Sequence, residues 1–177
     1  MKFTLALALS ALALFGANEF SGRRAPSFSL PDVTMRQHDI LDYRGKVLIV
    51  EFMQTRCEKC QSFTKALEGR VKPKFGDKLA VLSVVVPPDS LDDVKKYINV
   101  FKVTNPILFD SGQMASSYVK ATPDRPAMYF PHIFLIDQQG MIRNDWQFTS
   151  AGLYPDVISG DRLLTEIEKL LNEAAPK

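Results

Sequence analysis

Two short runs of apolar, largely β-branched residues constrain this chain most: Val47-Leu48-Ile49-Val50-Glu51-Phe52-Met53 and Leu79-Ala80-Val81-Leu82-Ser83-Val84-Val85-Val86. Neither alternates apolar with polar residues, as a strand with one wet face would. Both are therefore predicted to be strands buried on two faces inside a sheet. Such a sheet needs helices on each side, and the rest of the chain supplies them. Residues 58–69 have helical spacing through Phe63, Ala66 and Leu67, with Gly69 as the stop. Asp89-Ser90 opens a second helix, with Leu91, Val94, Tyr97, Ile98 and Phe101 on one face and Asp92-Asp93 in its first turn, where acids are favoured. Ile107-Leu108-Phe109 reads as a short strand, and residues 112–119 as a short helix. Residues 132–137 and 141–143 flank Gln138-Gln139-Gly140 and give a hairpin signal. Leu163, Leu164, Ile167, Leu170 and Leu171 mark an amphipathic last helix over 161–173. This order predicts one α/β domain, a mixed central β-sheet flanked by helices on both faces.

The first 17 residues do not belong to that pattern. Met1-Lys2 precedes an apolar run from Phe3 to Phe15, relieved only by Thr4 and Ser10, and Gly16-Ala17 follows. A charged start, an apolar centre and small residues are the order of a secretory signal peptide. Its 13 apolar-run residues fall short of the ~18–20 that cross a bilayer. Cleavage after either Ala11-Leu12-Ala13 or Gly16-Ala17 fits. The expected organisation is a signal peptide over 1–17, a polar linker over 18–24 that leads into an extended arm, and a folded domain over 25–177. Contact with a membrane is expected only if the leader stays uncleaved, and the location is periplasmic or extracellular, where disulfides persist. About 160 residues then remain, enough for one core and not two. At 46% hydrophobic and 24% charged, the chain is not disordered or collagenous. A net charge of +2, without a long basic tract, argues against nucleic acid as a partner.

The chain has two cysteines, Cys57 and Cys60, in Cys57-Glu58-Lys59-Cys60. They fall where the first buried strand ends and a helix begins. At a helix N-terminus the unpaired N–H groups and the positive dipole end favour a thiolate, so Cys57 is predicted to be the nucleophile. Arg56 and Lys59 add positive charge, and Glu58 partly opposes it. Cys60 lies one turn on and is placed to resolve a mixed disulfide. A purely structural bond is the weaker reading, because so short a loop constrains the unfolded chain little.

With these residues in place, the sequence resembles the thioredoxin-like thiol–disulfide oxidoreductases of the TlpA/ResA type, within the AhpC/TSA–thioredoxin superfamily that includes peroxiredoxins. Residues 25–146 carry the likeness. Ala25-Pro26-Ser27-Phe28-Ser29-Leu30 is similar to the opening motif, Tyr43-Arg44-Gly45-Lys46-Val47 to the approach to the central strand, and Cys57–Cys60 to the redox motif. Phe109-Asp110 and Tyr118-Val119 match weaker positions, and Pro131-His132-Ile133-Phe134-Leu135-Ile136-Asp137 with Gly140 matches the segment that holds a cis-proline. The resemblance implies a thioredoxin-like fold, a cis Pro131 packed across from Cys57, and Phe130 lending backbone hydrogen bonds to a bound substrate chain. It also implies a redox-active Cys57–Cys60 disulfide in place of any cofactor or metal. Expected partners are protein thiols or disulfides and an electron donor or acceptor, and the expected state is a monomer.

Glu51, six residues before Cys57, stands where many thioredoxins keep a buried acid. Desolvation would raise its pKa, so that it accepts the proton of Cys60. Arg56 replaces the family's usual aromatic residue and makes the surface beside Cys57 more cationic, which bears on substrate binding. The stretch between Val119 and Pro131 is longer than the common form and should sit beside the site.

Two other activities deserve weighing. A peroxiredoxin-like peroxidase needs a Pro-x-x-x-Thr/Ser-x-x-Cys loop, and here Val50 and Gln54 occupy the diagnostic positions, while Pro131 fills the arginine slot. A copper-binding assembly factor needs Cys-x-x-x-Cys and a histidine, and here the spacing is one residue shorter and Tyr129 stands where the histidine would fall. His132 is expected to be packed rather than functional, His38 to lie on the surface of the early loop, and Trp146 to be core.

Overall fold

The computed structural model describes residues 19–124, 128–148 and 154–173, so the leader predicted over 1–17 and part of the Pro-rich segment after Val119 lie outside the described residues. The strands are β1 (Arg23–Arg24), β2 (Ser29–Pro31), β3 (Gln37–Asp39), β4 (Val47–Met53), β5 (Leu79–Val85), β6 (Ile107–Phe109), β7 (His132–Ile136) and β8 (Met141–Gln147). The helices are α1 (Glu58–Ala66), α2 (Lys72–Phe75), α3 (Leu91–Phe101), α4 (Gln113–Val119), α5 (Pro155–Ile158) and α6 (Asp161–Asn172). A six-stranded sheet runs in the order β1-β8-β7-β4-β5-β6, and β2-β3 form a separate hairpin. β4, β5 and β6 are parallel, while β7 is antiparallel to both β4 and β8. The mixed sheet flanked by helices on both faces that the sequence predicts is the one observed.

The two apolar runs are buried because each strand feeds two cores. Along β4, Leu48, Val50 and Phe52 point to one face, where they meet Phe28, Ile40, Met114, Tyr118 and Phe134. Val47 and Ile49 point to the other, against Phe63 of α1, Leu67 just beyond it, and Leu163, Ile167 and Leu170 of α6. At the C-terminal end of the parallel strands a third cluster gathers Met53, Cys60, Val85, Val94, Tyr97 and Ile107. The site is built over this last cluster. Trp146 is core as predicted, 4% exposed.

Three local readings give way. Of the polar stretch 18–24, predicted as a linker, the described residues 19–24 lie against the domain: Phe20 is 3% exposed, and β1 pairs with β8. An edge strand leaves backbone donors and acceptors open, and even a two-residue strand that closes them is favoured. Gly69 does not stop the first helix. The chain continues through a π turn (Leu67–Val71) and α2, and turns at Gly76, where φ is +50°. An exposed glycine costs about 1 kcal/mol in a helix, less than burying Leu67 and Val71 gains. His38 is not at the surface but 4% exposed, with Nδ1 2.6 Å from the Tyr43 hydroxyl and Nε2 3.0 Å from Asp32 Oδ2. Burial works against the Asp32 charge, but bonds from the Thr34 hydroxyl, His38 and the Thr34 and Arg36 amides hold its carboxyl at about 2.

Candidate active site

Cys57 caps the N-terminus of α1: its backbone is extended, and its Sγ accepts the Cys60 N–H at 3.2 Å. Cys57 and Cys60 are joined in a disulfide with Cα atoms 5.2 Å apart. The sulfurs differ in access. Cys57 is half-buried and Cys60 is 0% exposed. The loop that delivers Cys57 is pinned from the neighbouring strand's end. Thr55 gives its N–H to Asp89 Oδ2 at 2.7 Å and its hydroxyl to Asp89 Oδ1 at 2.8 Å, and its carbonyl accepts Gln61 Nε2 at 2.9 Å. Asp89 follows Pro87-Pro88, whose peptide bond is cis. Sequence reasoning missed this clasp; Asp89 was visible only as the start of α3.

Glu51 lies on the face of β4 that carries α1, opposite Ser83 of β5 and Ile133 of β7 in register. It is 0% exposed and accepts one hydrogen bond, from Ser83 Oγ at 3.2 Å, while Oε1 has no partner among the described residues. Burial pushes the carboxyl up to about 8, with the Ser83 bond working in the other direction. Tyr97 of α3 is near enough to feel it: burial, then the Glu51 charge, pushes the Tyr97 hydroxyl well above its ordinary range. That hydroxyl is bonded to Thr64 Oγ1 of α1 at 2.8 Å. A carboxyl that holds its proton near neutrality can both take and return one.

The Phe130–Pro131 peptide bond is cis. Pro131 is buried, and Phe130 packs against the cluster that includes Met53 and Cys60, as Cys57 does. Arg56 is 85% exposed, 3.7 Å from Asp93 Oδ1, a surface pair worth little to stability. His132 stacks on Phe134 with centroids 4.4 Å apart, and its Nε2 is 3.6 Å from Asp145 Oδ2, beyond hydrogen-bond reach. Burial holds His132 below its ordinary pKa, against the pull of Asp145 and then Glu19. Among the described residues no three His, Cys, Asp or Glu side chains are grouped to hold a metal ion.

A mixed sheet whose central parallel strand leads into a helix capped by the first cysteine of Cys-x-x-Cys, with a cis-proline strand alongside, defines a thioredoxin-like protein. The chain belongs to the AhpC/TSA family, whose sequence model matches residues 21–145. It is 27% identical over 125 residues to thioredoxin-like protein YneN of Bacillus subtilis (strain 168), covering 70% of this chain and 69% of that one. It is 26% identical over 155 residues to thiol-disulfide oxidoreductase ResA of Geobacillus kaustophilus (strain HTA426), covering 88% and 78%. The fold matches the thioredoxin domain of a thiol-disulfide oxidoreductase from Bacteroides vulgatus with a TM-score of 0.67 at 22% identity, over 86% of this chain and 98% of that one.

Proposed function

We propose that this protein is an exported thiol–disulfide oxidoreductase that exchanges disulfides with protein substrates through Cys57 and Cys60. The observation that carries the reading is the unequal access of the two sulfurs at the head of α1, one half-buried and one fully buried. In the reducing direction the Cys57 thiolate attacks a substrate disulfide; a Cys57–substrate disulfide forms, and the other substrate sulfur leaves as thiolate. Cys60 then gives its proton to Glu51 and attacks Cys57 Sγ. The Cys57–Cys60 disulfide forms, and the second substrate sulfur leaves. The substrate gains two electrons, and its thiolates take up protons, one of them from Glu51. Run backwards, the same steps oxidise a substrate dithiol. The Cys57 thiolate is favoured by the Cys60 N–H and by the dipole of α1. Phe130 and Pro131 would receive the substrate backbone, and exposed Arg56 would favour acidic residues beside the substrate cysteine. The apolar run Phe3–Phe15 supports export.

Cys60→Ser tests the reading directly. It should strand Cys57 in mixed disulfides with exported proteins, visible as thiol-cleavable adducts, while the unaltered protein reduces insulin. No adduct together with no insulin reduction would overturn the proposal. Peroxide consumption that survives Cys60→Ser would point instead to a peroxidase, and stoichiometric co-purifying copper to a metal carrier.

A further inference from the structure

The single bond that Glu51 accepts is the inner end of a longer chain. Ser83 Oγ, the donor to Glu51, lies 3.2 Å from Asn105 Nδ2 in the turn between α3 and β6. The same Nδ2 donates to the Pro106 carbonyl at 3.1 Å, and Asn105 Oδ1 accepts Lys72 Nζ at 3.3 Å. Lys72 is itself fixed, bonded to Glu68 Oε1 at 2.6 Å and to the Thr104 hydroxyl. Glu68 accepts the Thr104 N–H and hydroxyl, each at 2.9 Å, and so clamps the turn to the π-turn segment.

Donor and acceptor chemistry gives this chain a direction. An ammonium only donates, so the asparagine must offer it oxygen; a carbonyl only accepts, so Pro106 must receive nitrogen. Both requirements turn the amide N–H groups toward Ser83. The Ser83 oxygen then accepts from Asn105, and its one hydrogen is left for Glu51 Oε2.

We propose that Lys72, Asn105 and Ser83 are positioning residues, a one-way hydrogen-bond chain from the surface that orients a donor onto Glu51 and favours its charged, proton-accepting form. The functional meaning rests on the reading of Glu51 as the proton-transfer residue; the chain itself does not. Burial otherwise acts on this carboxyl with no other hydrogen bond among the described residues to oppose it. The groups that face Glu51 from the other elements do not supply one. Tyr97 of α3, which feels the Glu51 charge, has its hydroxyl bonded to Thr64, and Ile133 of β7 is apolar.

The test follows the Glu51 carboxyl directly, by carbon-13 NMR of glutamate-labelled reduced protein across pH, with Glu51→Gln to assign the signal, alongside the pH profile of insulin reduction. Ser83→Ala should raise the Glu51 midpoint by about one unit or more, the size of a lost bond to a charged group. Ser83→Thr keeps the hydroxyl and should keep the midpoint. Asn105→Leu should raise it less than Asn105→Asp, which offers only acceptors and draws the Ser83 hydrogen away. A midpoint unmoved in Ser83→Ala and in both Asn105 variants overturns the proposal. A midpoint that moves while the turnover profile stays put supports the chain and removes Glu51 from proton transfer; movement of both supports both. If Ser83→Ala does not fold, the Asn105 pair, in a half-buried turn, decides.

Discussion

Glu51 and Asp110 are both buried acids on strands or strand ends of one sheet, and the fold treats them in opposite ways. Asp110, 4% exposed at the end of β6, accepts the Met114 N–H at 3.1 Å and the Ala115 N–H at 2.7 Å. It thereby satisfies the start of α4, whose N-cap Gly112 brings no side chain. Asp137 is similar: its Oδ1 accepts the Gln139 and Met141 amides, and its Oδ2 faces Arg143. Among the described residues Glu51 has one neutral donor and an oxygen with none. A buried carboxylate surrounded by donors holds a turn or a helix in place. A buried carboxyl short of donors instead holds a proton.

The largest break in this comparison should come from Glu51→Gln, read as stability against pH. The Glu51 carboxyl rises from an ordinary 4.5 to about 8 in the folded protein, so the native state binds its proton more tightly than the unfolded chain does. Its contribution to stability is therefore full below about 4.5 and is lost as pH rises toward about 8. The linkage amounts to roughly 5 kcal/mol. Urea unfolding of the oxidised proteins should find the two equally stable near pH 4.5 and the Gln variant the more stable at pH 8 to 9. Parallel curves across that window would rule out a raised acid at this position.

Asp110→Ala should behave in the reverse sense at neutral pH, losing about 2–4 kcal/mol through two orphaned amides. Helix α4, whose Met114, Ala115, Tyr118 and Val119 are buried, should then exchange its amide hydrogens sooner than the rest of the domain. Asp110→Asn keeps an acceptor and should lose less. If Asp110→Ala cost no more than a surface substitution, the contrast between the two acids would collapse.

What was legible beforehand follows the same division between local and distant causes. The runs around Val50 and Leu82, the cap at Ser90 and the placement of Cys57 at a strand-to-helix junction are written in neighbouring residues, and they could be read. Glu51 stood out because it lies six residues before Cys57, where the resemblance implies a buried acid, and because it is a charge inside an apolar run. The structure added partners that no spacing announces. Ser83 drew no separate reading within its apolar run, and only the strand register sets it opposite Glu51. His38 looked exposed because its partners, Asp32 and Tyr43, reach it only once β2 and β3 have paired. Gly69 looked like a stop because the burial that overrides it, Val71 against the chain near Gly160, comes from far along the sequence. A Cβ on Gly160 would meet Val71 Cγ2 at 2.8 Å, and its φ is +85°.

The smallest predicted effect concerns the clasp that holds the Cys57 loop, where Asp89 is satisfied by two donors from Thr55 in the manner of Asp110 rather than Glu51. Thr55→Val removes the hydroxyl bond, leaves the backbone N–H to Asp89 in place and keeps the side chain's shape. It should cost about 1 kcal/mol, the net value of one such bond. Asp89→Ala removes both acceptors and leaves the Thr55 N–H, in a residue 7% exposed, without a partner, so it should cost more. Because the loop ends at the half-buried sulfur, the costs should reappear in chemistry. Asp89→Ala should slow thiol exchange at Cys57 several-fold, and Thr55→Val should slow it little. Equal slowing by the two would mean that the backbone bond does not position Cys57.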